Sequence, residues 1–347
     1  MAERKVLVTG VTGFIGGTVL TQLLESSDEV IKQYSLSVVV RRHEQAETLR
    51  SAGIRTIVID DLGNAAALKE AASEHDIVMH LAIGFHTTSA RALIGGLGER
   101  KRKTGSDVHY IHLSGTSNLA ILTISEPNLP VRNFSDLDED IYDYEQQRET
   151  LEPYAQRTTD VTVVSTGEKL DVKTYIVMAP QVYGQGTGKF NQGSQQLPLL
   201  VRNAIQTRRS EFVSPGTGGL GSVEVQDLAR LFEITLAKTL RGADLPSGRK
   251  GYYFANTASA TWIETADVIG KIGHALGVLE SSVPRSITLE EAARRFHGGD
   301  VSLTEHVLAA SSKTEPKRSL SLGWEPLSGK SDWEKSIEAT FKVLLEE

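Results

Sequence analysis

The sequence KVLVTGVTGFIG, residues 5–16, decides the fold of this chain, because a run of apolar residues leads directly into a glycine-rich turn. Gly10 allows the strand to turn tightly, Gly13 allows the backbone to approach a pyrophosphate, and Gly16 allows the next helix to pack closely on the sheet. Apolar residues then recur at helical spacing, at Phe14, Val19, Leu20, Leu23 and Leu24. The start of this helix offers free N–H groups and the positive end of the helix dipole to an anion. The stretch therefore predicts a strand–turn–helix unit that binds the pyrophosphate of a dinucleotide.

Seven residues of this stretch are predicted to contact the dinucleotide: Thr9, Gly10, Thr12, Gly13, Phe14, Ile15 and Gly16. Glycine-rich turns also occur where no ligand binds. Here the turn lies between an apolar strand and an amphipathic helix, which is the context that the pyrophosphate-binding unit requires. We therefore predict a Rossmann-type site for a nicotinamide dinucleotide.

The end of the second predicted strand distinguishes NADP from NAD. The sequence VVV at residues 38–40 is followed by Arg41 and Arg42, with no acidic residue at the tip. An NAD site normally has Asp or Glu there to accept hydrogen bonds from the ribose 2′-hydroxyl, whereas the 2′-phosphate of NADP needs cations. A guanidinium can bind a phosphate through two hydrogen bonds and can stack on adenine. The arginine pair predicts NADP as the cofactor, and the alternative is two solvated arginines in a surface loop.

The composition is that of a globular protein with a large core: 347 residues, of which 39% are hydrophobic and 23% are charged. The net charge of −7 disfavours a general nucleic-acid-binding surface. Cysteine is absent, which excludes disulfides, cysteine nucleophiles and thiolate metal sites. We expect a cytoplasmic protein without membrane contact, because the first strand begins at residue 5 and no apolar run reaches membrane-spanning length.

Apolar segments alternate with helical patterns, and this alternation predicts an α/β fold with a doubly wound parallel sheet. After the second strand, strands are predicted at 56–59, 77–82, 109–114 and 174–179, and helices at 44–52, 65–72 and 89–103. We expect a Rossmann domain of residues 1–184 with about 223–255, and a smaller C-terminal substrate lobe of about 185–222 with 256–347. The lobe should fold over the carboxyl edge of the sheet, where ligands bind. The acidic stretch 135–147 is interpreted as a flap.

Six short segments resemble motifs of one enzyme family. They are TGVTGFIG at 9–16, DDL at 60–62, HLA at 80–82, PQVYG at 180–184, VQDLA at 225–229 and LGWEP at 322–326. Over nearly its whole length the chain resembles an extended short-chain dehydrogenase/reductase of the NAD(P)-dependent epimerase/dehydratase type. The resemblance implies further cofactor contacts at Asp61, Leu62, Leu81, Ala82, Pro180 and Val182. Considered alone, Asp61 could equally cap the helix that follows, and His80 could be a core histidine.

The same resemblance implies a catalytic hydroxyl, a Tyr and a Lys. In that family the hydroxyl positions a carbonyl, the Tyr exchanges a proton with its oxygen, and the Lys holds the nicotinamide ribose and lowers the pKa of the Tyr. The segment LSGTSNL at 113–119 corresponds to the family's serine-rich segment after the fifth strand. It places the active hydroxyl at Thr116, with Ser114 as the second choice. Ordinary turn chemistry at the end of a strand is the alternative.

The Tyr-x-x-x-Lys pair of the family is absent, because none of the nine tyrosines is followed by Lys at the fourth position. Tyr154 is the best-placed candidate, since it precedes the helix that leads into the sixth strand. Arg157 would then supply the cation, although its spacing is three residues and Arg is not a geometric equivalent of Lys. Tyr144 with Arg148 has the correct spacing and ranks second. A Tyr154 that only packs at the start of the helix is the remaining alternative.

These motifs predict an NADP-dependent oxidoreductase, of carbonyl reductase or alcohol dehydrogenase type, that acts on a small organic metabolite. The absent Lys keeps two alternatives open: a redox-neutral isomerase, lyase or cyclase on the same fold, and a non-catalytic NADP sensor similar to the NmrA-like regulators. No metal site is expected, because His109 and His112 lie on opposite faces of a predicted strand and the other histidines lack ligand spacing. The resemblance also implies a homodimer.

Overall fold

The computed structural model describes residues 3–346 and has a seven-stranded parallel sheet at its centre. Residues 1, 2 and 347, at the outer ends of the two predicted lobes, lie outside this range. The strands are β1 (Lys5–Thr9), β2 (Ser35–Val40), β3 (Arg55–Val58), β4 (Ile77–His80), β5 (His109–Gly115), β6 (Asn133–Ser135), β7 (Lys173–Ala179), β8 (Gln181–Tyr183), β9 (Glu211–Val213), β10 (Gly219–Glu224), β11 (Tyr252–Phe254), β12 (Ala258–Thr261), β13 (Arg285–Ile287) and β14 (Lys313–Glu315). The helices are α1 (Phe14–Leu24), α2 (His43–Ser51), α3 (Ala65–Ser73), α4 (Thr87–Thr104), α5 (Ile141–Leu151), α6 (Ala155–Leu170), α7 (Gln196–Thr207), α8 (Val225–Leu240), α9 (Trp262–Ala275), α10 (Leu289–Phe296), α11 (Val301–Leu308), α12 (Lys317–Ser321) and α13 (Lys330–Glu346).

The strands of the large sheet lie in the order β11-β7-β5-β4-β1-β2-β3, and every neighbouring pair is parallel. The chain first builds outward from β1 to β3 and then returns to the other side of β1 for β4, β5 and β7. This reversal leaves a crevice at the carboxyl edge between β1 and β4, where ligands bind in such folds. The predicted doubly wound parallel sheet is confirmed, although the sequence pattern does not predict the edge strand β11.

Both faces of the sheet are buried, which explains why its strands are almost continuously apolar. On β1, Val6 and Val8 point to one face and Leu7 to the other, because successive side chains alternate along a strand. Helices α1 and α8 cover the first face, and α4 and α6 cover the second. Burying each of these aliphatic side chains contributes about 1.5–3 kcal/mol. The sheet therefore fixes the glycine turn that leaves its central strand.

The remaining strands form three smaller sheets, β12-β10-β8, β13-β9 and β14-β6, in which later strands pair with the earlier β6 and β8. Helices α7, α9 and α13 pack around a separate apolar core that includes Ile269, Trp333 and Phe341. Strand β14 pairs with β6, so the end of the chain returns to the segment that follows β5. The division into a Rossmann domain and a substrate lobe with the predicted boundaries remains a proposal.

The expectation of a flap over residues 135–147 is wrong. Helix α5 begins at Ile141, within this stretch, and its Tyr142 and Glu145 are buried. The carboxylate of Asp136 accepts a hydrogen bond from the backbone N–H of Phe254 in β11 (2.9 Å). The stretch therefore contains a packed helix with buried Asp136 and Glu145, while Asp138, Asp140 and Asp143 are exposed.

Two further observations concern residues 3–346 only. No helix in this range is both long and apolar enough to span a bilayer. No group of three or more His, Cys, Asp or Glu side chains in the range is arranged to hold a metal ion.

Candidate active site

The turn between β1 and α1 has the geometry that its glycine pattern predicts. Gly10 has a φ of +83°, in the left-handed region that favours glycine, and its carbonyl accepts a hydrogen bond from the N–H of Gly13 (2.9 Å). A Cβ atom on Gly10 would lie 2.5 Å from the backbone nitrogen of Ala82, just beyond β4. A Cβ atom on Gly16 would overlap the carbonyl of Gly10. Glycine is therefore needed at both positions for α1 and the end of β4 to lie against the turn.

A cavity of about 740 Å³ opens at this turn, at the carboxyl edge of the sheet. The predicted cofactor residues that line it are Thr9, Gly10, Thr12, Gly13, Phe14, Ile15, Gly16, Arg41, Arg42, Leu62, Leu81, Ala82, Pro180 and Val182. Asp61 does not line it: its exposed carboxylate accepts a hydrogen bond from the N–H of Gly63 (2.8 Å). The helix that follows is capped by Asn64 instead. Contact of these residues with a dinucleotide remains a prediction.

Two cations stand at one end of this cavity, which we call the cofactor cavity. Arg41 and Arg42 follow β2, line the cavity and are exposed. Neither guanidinium forms an ion pair with a carboxylate within residues 3–346. This end of the cavity therefore presents positive charge that the protein itself does not neutralise, as a phosphate-binding site requires.

A second cavity of about 620 Å³, which we call the substrate cavity, adjoins the first. The two share a wall, since Ile15, Leu113, Pro180 and Val182 line both. A molecule in the substrate cavity would therefore lie beside a dinucleotide in the cofactor cavity. Its volume is typical of sites for small organic ligands, which run from roughly 300 to 1,000 Å³.

The wall of the substrate cavity is uncharged apart from two histidines. Its large apolar side chains are Phe85, Leu113, Leu199, Leu220, Trp262, Val307 and Leu308. Its polar side chains are chiefly hydroxyls and amides. Among the residues that the structure describes, no Asp, Glu, Lys or Arg lines it, and His297 and His306 are its imidazoles. The cavity therefore suits a neutral molecule with apolar and hydrogen-bonding parts.

Tyr154 projects into this cavity from the start of α6. Its hydroxyl donates a hydrogen bond to Oγ of Ser117 (3.3 Å). Its ring lies between Phe85, which meets it edge-on at a centroid distance of 5.8 Å, and His306, which stacks on it at 4.4 Å. Burial raises the pKa of Tyr154, while the hydrogen bond with Ser117 and the charge of Arg157 act in the opposite direction. The phenol is thus a protonated hydrogen-bond donor at neutral pH.

The hydroxyls after β5 gather in the same cavity. Thr116 and Ser114 both line it. The Oγ1 atom of Thr116 lies 3.5 Å from Oγ of Ser312, and Ser114 donates to a carboxylate oxygen of Asp160 (2.5 Å). The structure therefore brings Thr116, Ser114 and Tyr154 to one cavity, whereas their catalytic roles remain predictions.

Two residues at the site were not identified from the sequence. Ser117, one position after Thr116, accepts the hydrogen bond of Tyr154 and donates to Oε1 of Gln156 (2.8 Å). Ser117 lies in the serine-rich segment that indicated Thr116, so the local sequence carried a signal for it. His306 lies far along the chain, and no local pattern marks it as a neighbour of Tyr154.

Arg157 lies under Tyr154 and does not line either cavity. It is fully buried, and its Nε and Nη1 donate to the backbone carbonyls of Asn118 (2.9 Å) and Glu152 (2.7 Å). Its Cζ atom is 5.7 Å from the centroid of the Tyr154 ring. The guanidinium thus links the segments that contain Asn118 and Glu152. Its positive charge also lowers the pKa of the Tyr154 phenol. Its predicted role as the supporting cation remains untested by this geometry.

The second-ranked pair, Tyr144 and Arg148, lines neither cavity. The guanidinium of Arg148 is bidentate to Glu126 (2.8 and 2.9 Å) and also pairs with Glu152 (2.8 Å). Tyr144 packs its ring on Phe134 at a centroid distance of 4.7 Å. This pair is therefore positioned as part of the packing around α5.

Two buried carboxyl groups lie directly behind Ser114. Asp160 accepts hydrogen bonds from Ser114 (2.5 Å) and from the amide of Asn118 (2.7 Å), and the same amide reaches Glu145 (3.1 Å). Tyr252 donates to the other oxygen of Glu145 (2.7 Å). Burial raises the pKa of Asp160 to about 8, and burial together with the charge of Asp160 raises the pKa of Glu145 well above its usual range. The pair therefore retains a proton at neutral pH.

We expect the variant Glu145→Gln to flatten the pH dependence of stability. In the wild type the folded pair holds a proton that the unfolded chain releases above about pH 4, so the unfolding free energy falls as the pH rises from there through 8. The amide of the variant is neutral at every pH, so only Asp160, whose pKa burial raises, still takes up a proton on folding. From pH 5 to pH 8 the unfolding free energy falls in both proteins. The fall should be smaller in the variant than in the wild type by about 1–3 kcal/mol.

Urea unfolding at a series of pH values measures this difference. The matched control is Glu168→Gln on α6, which removes a carboxylate that pairs with Arg249 at the surface and should change the slope far less. Parallel curves for the wild type and Glu145→Gln would contradict the retained proton.

Comparison with known proteins agrees with this architecture. Residues 6–120 match the NAD dependent epimerase/dehydratase family. The oxidase ucsJ of Acremonium sp. is 28% identical over 306 residues, which cover 84% of each chain. The family uses a nicotinamide dinucleotide, and reductases, epimerases and dehydratases occur among the similar proteins.

Solved structures extend the likeness over the whole chain. The dTDP-glucose 4,6-dehydratase DesIV of Streptomyces venezuelae, with NAD and TYD bound, superposes with a TM-score of 0.65 at 16% identity, over 99% of this chain and 97% of that one. Gre2 of Candida albicans, in complex with NADPH, superposes with a TM-score of 0.61 at 16% identity, over 99% of each chain. At these identities the likeness shows the fold alone. Residues 6–120 are thus similar to the NAD dependent epimerase/dehydratase family, and the chain has the fold of the extended short-chain dehydrogenases/reductases, as its motifs predict.

Proposed function

We propose that this protein is an NADP-dependent reductase whose substrate is an uncharged organic carbonyl compound. In the reverse direction it would oxidise the corresponding alcohol, as an alcohol dehydrogenase does. The observation that carries the proposal is the position of Tyr154. Its phenol lines a cavity that shares a wall with the cofactor cavity, and its hydroxyl is held by Ser117. A positioned proton donor beside a hydride donor is what carbonyl reduction needs.

The residues of the cofactor cavity fit NADP. The turn from Gly10 to Gly16 exposes the start of α1 to a pyrophosphate, and Arg41 and Arg42 would hold the 2′-phosphate. When bound, NADPH supplies the hydride that is added to the carbonyl carbon. The shared wall at Val182 is where the two cavities meet.

The side chains of the substrate cavity supply the proton. Tyr154 gives its hydroxyl proton to the carbonyl oxygen, so that the alcohol forms and a phenolate remains. The hydroxyl of Ser117 now accepts from Tyr154, and by rotating it can donate to that phenolate. Thr116 would position the carbonyl oxygen, with Ser114 as the alternative hydroxyl.

The absence of Asp, Glu, Lys and Arg from the wall of the substrate cavity, among the residues described, supports a neutral substrate. A nucleotide sugar such as the dTDP-glucose named for DesIV carries a diphosphate, which needs cations or N–H groups to replace its solvation. The substrate cavity of this chain presents no Lys or Arg among the residues described. Neutral ketones or aldehydes with an apolar or aromatic part match its wall better.

The test is consumption of NADPH, followed by its absorbance, with a panel of neutral aliphatic and aromatic ketones and aldehydes of increasing size. A nucleotide sugar serves as the charged comparison. We expect oxidation of NADPH with members of the neutral panel and none with the sugar. A protein that binds NADPH tightly and reduces no member of a broad panel would contradict the proposal.

We expect Arg41→Ala to weaken the binding of NADPH by about 10- to 100-fold and to leave the binding of NADH unchanged. The reason is that a charge-assisted hydrogen bond to the 2′-phosphate contributes about 1.5–3 kcal/mol and has no counterpart in NADH. Isothermal titration calorimetry with both dinucleotides measures the two dissociation constants.

The matched control for this change is Arg102→Ala. Arg102 is exposed near the end of α4 and lines neither cavity, so its removal changes the net charge equally without touching the site. Equal losses for NADPH and NADH in Arg41→Ala would argue against recognition of the 2′-phosphate.

One observation favours a second candidate function. Thr158, four residues after Tyr154, carries no charge and hydrogen-bonds to the carboxylate of Glu149 and to the carbonyl of Tyr154. Without a lysine there, a redox-neutral isomerase, lyase or cyclase remains the alternative. Turnover of a substrate with no net consumption of NADPH would distinguish it. A cytoplasmic location and a homodimeric state remain predictions.

A further inference from the structure

The phenol of Tyr154 needs a cation beside it if it is to give up its proton. Burial raises its pKa, because a phenolate is poorly solvated inside the protein. The guanidinium of Arg157 is turned toward two backbone carbonyls, and Thr158 replaces the lysine of the family pattern. One more group lies directly against the phenol ring, the imidazole of His306.

His306 comes from α11 and lies flat on Tyr154. The two ring planes are 7° from parallel and the centroids are 4.4 Å apart. The side chain of His306 is only 2% exposed, although the residue forms part of the wall of the substrate cavity. This contact joins the C-terminal part of the chain to the start of α6.

The hydrogen bonds of His306 define where its second proton would go. Its Nδ1 lies 2.9 Å from the backbone carbonyl of Ser302, and since a carbonyl only accepts, Nδ1 carries the hydrogen. Its Nε2 is buried, has no hydrogen-bond partner among the described residues and lies 3.5 Å from a carboxylate oxygen of Glu152. A proton bound at Nε2 would therefore face an anion.

The charges around this imidazole leave room for one more cation. Glu152 and Glu126 both pair with the single guanidinium of Arg148, so these three side chains together carry a net charge of about −1. Glu149 and Arg157 lie 4.0 Å apart and balance each other. The remaining titratable groups nearby are Glu305 on the same helix, whose carboxylate accepts from the N–H groups of Ile124 and Ser125, and His297 across the cavity. An imidazolium at His306 would make the cluster of three carboxylates and two guanidiniums neutral.

We propose that protonated His306 takes the place of the absent lysine: stacked on Tyr154, it stabilises the phenolate that forms when Tyr154 gives its proton to the substrate. His306 is in this view a positioning residue that acts through Tyr154. The proposal rests on the proposed reductase function, because that function requires Tyr154 to be the proton donor. Glu152 holds the imidazolium by accepting from its Nε2.

A dependence on pH follows with a definite sign. The imidazole loses its second proton as the pH rises, and the phenolate then loses its cation. The value of kcat for reduction should therefore fall as the pH rises, with little change in KM. Two substitutions separate charge from packing: His306→Phe keeps an aromatic ring on Tyr154 without charge, and His306→Arg places a planar, permanently charged group there.

The experiment is the pH profile of kcat for these variants, with NADPH binding as the check of folding. His306→Phe should lower kcat by roughly tenfold to a hundredfold. This corresponds to a rise of about one or two units in the pKa of the phenol. His306→Arg should recover most of the wild-type kcat and lack the alkaline fall. In Glu152→Gln, which removes the carboxylate facing Nε2, the alkaline fall should move to lower pH.

A second readout needs no substrate. Phenolate absorbance, taken as the difference between each variant and its Tyr154→Phe counterpart, reports the ionisation of Tyr154 alone. The phenolate should form at lower pH in His306→Arg than in His306→Phe. Equal ionisation in the two variants, or a wild-type pH profile in His306→Phe, would overturn the role of His306. If no carbonyl compound is reduced at all, the proposed function fails, while the ionisation of Tyr154 still decides the role of His306.

Discussion

Replacing Gly10 with alanine is expected to weaken the binding of NADPH strongly and to lower the free energy of unfolding by about 2–5 kcal/mol. Two effects add: the backbone at φ +83° disfavours a side chain by roughly 1–2 kcal/mol, and the new methyl group would press on the backbone of Leu81 and Ala82. These backbone atoms directly follow β4 and cannot move without displacing its end. The binding of NADPH should weaken by about 100-fold or more. Quenching of intrinsic fluorescence by NADPH and urea unfolding measure the two effects.

Gly53→Ala is the matched control, because it carries the same backbone strain without the collision. Gly53 has a φ of +80° and nothing within 4 Å of the position its Cβ would take. We expect a loss of about 1–2 kcal/mol in unfolding free energy and an unchanged affinity for NADPH. If Gly10→Ala bound NADPH as the wild type does, the close approach of the turn to β4 would not be what forms the site.

Tyr154→Phe is expected to lower kcat for carbonyl reduction by about 10²- to 10⁴-fold and to leave the dissociation constant of NADPH unchanged. The phenyl ring keeps the packing against His306 and Phe85, so the change removes the hydroxyl proton and little else. Steady-state kinetics and a binding titration on the same preparation separate the two quantities.

The corresponding control is Tyr253→Phe. Tyr253 lies in β11, lines neither cavity and donates its hydroxyl proton to the carbonyl of Pro246 (2.7 Å). Its loss should cost about 1 kcal/mol of stability and leave kcat unchanged. Undiminished reduction by Tyr154→Phe would remove Tyr154 as the acid and would favour the redox-neutral alternative.

The sequence predicts the large sheet well where strand, turn and helix follow one another closely. The turn after β1 is specified within residues 5–16, so its geometry needs no distant partner. Boundaries shift by one or two residues, as at β3, which is 55–58 rather than 56–59, and at β4, which is 77–80 rather than 77–82. Strands β6, β11 and β14 escape prediction because three residues show no periodicity and their pairing partners are set by the tertiary structure.

In the candidate site, too, residues within local motifs are predictable from the sequence, and contacts between distant segments are not. The residues around the cofactor cavity lie in short motifs, whereas the contact between Tyr154 and His306 joins segments that only the folded chain brings together. Helix α5 escapes prediction because the acidic stretch 135–147 favours a flap, and because its inward positions include Glu145 and Arg148, where a helix usually buries apolar side chains. Hydrogen bonds and ion pairs satisfy those groups, and a one-dimensional pattern does not show such partners.

The return of β14 to β6 has a consequence for the order in which the molecule is built. Strands β1 to β5 all lie within residues 5–115, and they can associate early during synthesis. The wall of the substrate cavity, in contrast, joins Thr116 to Ser312, 196 residues later. Closing so long a loop is entropically costly and slow. We therefore expect the glycine turn to form before the substrate cavity closes, so that during folding a dinucleotide can bind earlier than a carbonyl compound can.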